Sequence, residues 1–168
     1  GGDIIGVAGE TTDAAAVGGE VSITAGAGTS TDATDGGDGG DVVVTAGKAF
    51  GGNAVSDIGG DVIVSAGAAT NAFGGAVKVT SGFSDATSSG NVEVATASAG
   101  AVGVSGDVLI DTGMSTLGNT GKMAVSTGVA TQGNSGGAYV TTGDTFYGLT
   151  GSIELTTGAA TTGDAGDI

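Results

Sequence analysis

Ser105–Gly113 reads SGDVLIDTG, and the same phrase returns at Gly39–Gly47 (GGDVVVTAG), Gly59–Gly67 (GGDVIVSAG), Thr120–Gly128 (TGKMAVSTG) and Thr150–Gly158 (TGSIELTTG). Its nine positions are any residue, Gly, often Asp, an apolar residue, any, an apolar residue, any, a small residue and Gly. A phrase that recurs at a fixed period marks a repeat architecture. Aligned on it, repeats start at Gly1, Gly18, Gly39, Gly59, Gly74, Ser89, Ser105, Thr120, Ser135 and Thr150, and an eleventh begins at Ala165. From Gly59 onward the period is 15 residues, with one step of 16 from Ser89; the first three repeats are longer.

Within the phrase, apolar residues occupy every second position. The ladder runs Val42 and Val44, Val62 and Val64, Val77 and Val79, Val92 and Val94, Val108 and Ile110, then Val125, Val140, Ile153 and Leu155. A period of two is that of a β-strand with one face covered, because successive side chains point to opposite faces. One short strand cannot bury its apolar face alone, so the repeats are expected to stack and share a core. The expected fold is all-β: a parallel β-solenoid of about ten stacked coils, mostly 15 residues each, with strands about 4.8 Å apart. Residues 1–168 then form a single array. Three longer coils with loop insertions occupy 1–58, regular coils occupy 59–164, and 165–168 start another coil. The handedness stays open.

The segment between phrases must cross back within one turn of such a solenoid. Its second residue is small (Ala69, Ser84, Ser115, Ala130, Thr145, Ala160) and its fifth is often glycine (Gly118, Gly133, Gly148, Gly163), as a close approach to the ladder would require. The glycines at positions two and nine are expected to turn the corners, through positive φ or close backbone contact. Gly6 and Ala138 interrupt the ladder, and Ala97 replaces one position-nine glycine.

Composition excludes several classes. The 168 residues include 38 glycines and no proline, which rules out a collagen-like chain. A mean hydropathy of +0.31 with regular β-branched pairs argues against disorder. The net charge is −15, with Lys48, Lys78 and Lys122 the only cations, so nucleic acid and anionic membranes are not expected partners. No apolar run approaches a membrane span. There is no cysteine, hence no disulfide framework. With no His and no Arg, and with the position-three aspartates (Asp3, Asp41, Asp61, Asp107, Asp167) placed as turn caps, the chain is not expected to be an enzyme.

Three features invite a ligand. Gly36–Val43, GGDGGDVV, matches the Gly-Gly-x-Gly-x-Asp-x-apolar nonapeptide and so resembles calcium-binding β-rolls, although the match does not recur. Asp32, Asp35, Asp38 and Asp41 lie in or beside this longest insertion and offer oxygen ligands for calcium; an acidic loop without metal is the other reading. No cofactor is required. Position seven forms a hydroxyl ladder of Thr24, Thr45, Ser65, Thr80, Ser126, Thr141 and Thr156. Its short coil and Thr column resemble some insect antifreeze proteins, which would imply ice binding; the hydroxyl ladder itself could also recognise a repetitive polysaccharide. Lys78, Glu93, Asp111 and Glu154 interrupt that plane, so a solvated β-face is the alternative. Phe50, Phe73 and Phe83 fall between consecutive phrases, and Phe146 and Tyr147 between later ones; they are either corner plugs or a lateral contact patch.

The chain begins (GGDI, Gly1–Ile4) and ends (AGDI, Ala165–Ile168) at the same point of the phrase. Either it is a window of a longer array, or its ends stack on identical subunits. Head-to-tail stacking is a heterologous contact that does not close and yields a filament. The GGDVxVxAG and SGDVxIxTG phrases resemble the Gly/Ser/Thr-rich repetitive proteins of microbial cell surfaces, including those of algae and related protists. That resemblance implies an extracellular or cell-surface structural or adhesive role. The in-phase ends point to a head-to-tail homo-polymer, and the acidic, hydroxyl-rich surface leaves glycans or divalent cations as further partners. The expected function is thus a structural subunit of an extracellular filament or surface layer; a binding module for ice or polysaccharide is the alternative.

Overall fold

The computed structural model describes residues 2–168. Among them there is no helix and no paired strand; no turn or bend falls within a phrase, and the chain turns or bends between phrases, with an additional bend at Gly52. The bends fall at 13–15, 33–35, 54–56, 70–72, 85–87, 101–103, 116–118, 131–133, 146–148 and 161–163. From residue 70 they repeat every 15 residues, with the single step of 16 between 85 and 101. The chain divides into two units, Gly1–Val92 and Glu93–Ile168. The division falls inside the sixth phrase, not at the change from long to regular repeats near residue 58.

In the first unit each loop is closed by one backbone bond. The N–H of the position-two glycine donates to the position-nine carbonyl of the preceding phrase: Gly19 to Gly9, Gly40 to Gly26, Gly60 to Gly47, Gly75 to Gly67 and Gly90 to Gly82, each at 2.9 Å. This clasp sets the start of one phrase beside the end of the last. The loop therefore closes on itself in this unit and does not run back along the phrase.

The glycines divide the two roles differently from expectation. Those at positions two and nine have no positive φ; left-handed backbone occurs at Gly103 (φ 146°), Gly133 (100°), Gly148 (116°), Gly163 (105°) and Ala15 (62°). Position two serves close approach: a Cβ on Gly60 would lie 3.4 Å from Gly47 N and 3.6 Å from Ala46 Cβ. Nothing lies within 4 Å of a Cβ on Gly47, which is why position nine tolerates Ala97.

No side chain among the described residues is fully buried. The partly covered ones are Ala8, Ala25, Ala46, Ala49, Ser81 and Ser84. Four of these six are position-eight residues pressed under a clasp. The ladder stays open, but unevenly: position four is about half exposed (Val62, 55%), position six more so (Val64, 73%) and position five most (Ile63, 82%). The two-residue alternation thus survives as a gradient of cover, without a core.

Candidate functional site

The acidic insertion is built from its own hydrogen bonds. The Asp32 carboxylate accepts from the Thr34 N–H (2.8 Å) and the Asp35 N–H (3.1 Å), and the Ser30 carbonyl accepts from Gly37 N–H (3.3 Å). A short polar side chain bonding the backbone two or three residues on is the usual way such residues hold a turn. The Thr34 N–H, and then the Asp35 N–H, hold the Asp32 carboxyl below the usual aspartate range by bonding its charged form. At the base of the loop Gly28 meets the Gly37 backbone so closely that a Cβ on Gly28 would collide with the Gly37 carbonyl. Among the described residues no three acidic side chains converge on a common point, so Asp32, Asp35, Asp38 and Asp41 are not brought together.

The next loop uses the same chemistry in a reciprocal form. The Asn53 N–H donates to Asp57 Oδ2 (2.8 Å), the Asp57 N–H donates to the Asn53 carbonyl (3.0 Å), and the Val55 N–H donates to Asn53 Oδ1 (3.0 Å). Elsewhere the small second residue of the loop does this work. Ser84 Oγ accepts from the Ala86 and Thr87 N–H groups, Ser115 Oγ accepts from Gly118 N–H, and Thr145 Oγ1 donates to the Tyr147 carbonyl. Where this position is Ser or Thr it caps the bend; in the repeats with Ala69, Ala130 and Ala160 it has no side-chain oxygen to do so. The turn-capping bonds expected of the position-three aspartates are made instead by these loop residues.

The hydroxyl ladder, Thr24, Thr45, Ser65, Thr80, Ser126, Thr141 and Thr156, is exposed along its length. The aromatic residues are exposed too, from Phe83 at 82% to Phe73 at 100%, so none plugs a corner of the single chain. The Lys48 ammonium sits 4.7 Å from the Phe50 ring centre, a cation–π contact that holds this side chain against its loop. Among the described residues the chain forms no pocket.

The feature that sequence reasoning missed is at position eight. Each position-two glycine faces the position-eight side chain of the preceding phrase across the loop. In the first unit that side chain is Ala or Ser, and the clasp forms. In the second it is Thr96, Thr112, Thr127, Thr142 or Thr157. There a threonine atom is the nearest neighbour of a Cβ built on Gly106, Gly121, Gly136, Gly151 or Gly166, with the methyl at 3.6–4.0 Å. The change from Ala or Ser to Thr was visible in the sequence, but not what it touches.

Compared with known proteins, the chain matches no protein-family model, no curated protein and no solved structure.

Proposed function

We propose that the chain is a structural subunit of an extracellular filament or surface layer. In the assembled state its phrases stack as strands of a parallel β-solenoid and share one core. The observation that supports this reading is the open ladder. The single chain exposes 16,492 Å² of surface. A compact monomer of its mass would expose about 7,000 Å² and the unfolded chain about 22,000 Å². Ladder side chains from Ile153 (51%) to Val125 (83%) remain in water. Burying a fully exposed Val or Ile side chain contributes about 1.5–3 kcal/mol, and the exposed part of each ladder residue retains a matching share, so repeated apolar rows of this kind favour association. The acidic loops keep the assembled surface hydrated and soluble.

The test is the association state of the full chain across a concentration series, by sedimentation velocity. Growth into long particles is expected, and replacing ladder residues by aspartate should abolish it. A chain that stays monomeric at high concentration would remove this reading.

A further inference from the structure

We infer that the residue at position eight sets a latch: Ala or Ser closes the next loop on its backbone clasp, and Thr holds it open. The five junctions that follow Ala8, Ala25, Ala46, Ala66 and Ser81 all carry the 2.9 Å bond. The five that follow Thr96, Thr112, Thr127, Thr142 and Thr157 carry none among the described residues. The contacts at the two kinds of junction differ accordingly. Around a Cβ on Gly75 the nearest atoms are Gly67 N, Ala66 Cβ and Gly67 O at 3.3–3.5 Å, so the two backbones touch. On Gly121 the only neighbours within 4 Å are Thr112 Cγ2 (3.6 Å) and Cβ (3.7 Å), with no atom of the position-nine backbone among them.

Three other features of the junctions do not account for the switch. Loop length does not, since the seven-residue loops 68–74 and 83–89 are clasped while 114–120 and 129–135, of the same length, are open. The residue at position one does not, because Ser89 precedes a clasped glycine just as Ser105 precedes an open one. Left-handed loop glycines do not, because the 114–120 loop is open although Gly118 has no positive φ.

The latch has a consequence for assembly, which rests on the filament reading. A backbone N–H is one donor. In stacked phrases the position-two N–H pairs with a neighbouring strand; in the clasp it pairs with position nine. A repeat cannot do both, so repeats closed by Ala or Ser must release before they stack, while those after Glu93 are already free. Stacking therefore starts in the second half of the chain and spreads to the first.

The experiment uses the full chain. In dispersed protein at low concentration, amide exchange at Gly60, Gly75 and Gly90 is expected to be about fivefold slower than at Gly121, Gly136 and Gly151, as one net hydrogen bond provides. The pair A46T and A66T should erase that protection at Gly60 and Gly75, and the pair T112A and T127A should create it at Gly121 and Gly136. Light scattering at higher concentration should then show a shorter assembly lag for the first pair and a longer one for the second. Exchange that is uniform, or blind to both swaps, overturns the latch. A lag that ignores swaps which do move exchange overturns its control of stacking. Exchange that follows the swaps in a chain that never associates upholds the latch and overturns the filament reading instead.

Discussion

Asp32 spends its carboxylate on the amides of Thr34 and Asp35, and this has a defined pH signature. Because its folded pKa is depressed, the turn it holds is fully present above the ordinary aspartate range and is lost as pH falls through the lowered value. The Thr34 and Asp35 amide resonances should therefore stay constant from neutral pH down past the usual aspartate midpoint and move only in stronger acid. Movement at the ordinary aspartate midpoint would show that the turn does not exist in solution. Two glycines give a second residue-scale contrast. Gly28→Ala drives a methyl into the Gly37 carbonyl and should shift the amides of 30–37, at a cost of about 1–3 kcal/mol to the closed loop. Gly47→Ala meets open space and should leave the spectrum of its loop unchanged. The acidic run 32–41 was legible as a cluster of carboxylates. Whether a carboxylate turns toward a metal or toward its own amides depends on a bend of three residues, which composition does not encode.

The element of this protein is the repeat, and its loop is the part that carries specific chemistry. Ser84 bonds the Ala86 and Thr87 amides and also meets the Thr87 hydroxyl at 3.0 Å. Ser84→Ala should loosen bend 85–87 by about 1 kcal/mol, read as faster amide exchange at Ala86 and Thr87; unchanged exchange would place those amides in water already. The period itself was plain in the sequence, because a turn must follow each extended phrase, and the bends keep the same 15-residue step with its one 16-residue exception. The clasp was not. It joins residues across loops of 7 to 13 residues, and a contact of that kind leaves no mark in a two-residue alternation. The Ala-or-Ser to Thr change at position eight only acquires meaning once Gly60 is seen against Ala46 and Gly121 against Thr112. The clasp contributes about 0.5–1.5 kcal/mol net, comparable with covering the exposed half of one valine. On the filament reading, a repeat that stacks covers two ladder residues for each clasp it releases, so the clasp should delay stacking rather than prevent it.

At the scale of the whole molecule the governing fact is an apolar ladder with nothing over it. The sequence reading placed Val42, Val62, Val77, Val92 and Val108 at covered positions; each is a little over half exposed in the single chain. The alternation said which side of the phrase is apolar, and the exposure gradient from position four to position five agrees on the side. It did not say what lies opposite, because a repeat buries its face on neighbours and not on itself. Val62→Asp combined with Val108→Asp should leave the loops and clasps intact while removing association, since two unpaired carboxylates on a face to be buried outweigh the gain from the remaining valines. No helix among the described residues is long and apolar enough to cross a membrane. The most direct measurement is electron microscopy of the concentrated full chain beside the Val62→Asp, Val108→Asp variant. Long uniform fibres from the first, with a strand spacing near 4.8 Å along the axis, and none from the second are the expected result. Dispersed single chains from both would contradict the claim that the ladder exists to be covered by further copies of this chain.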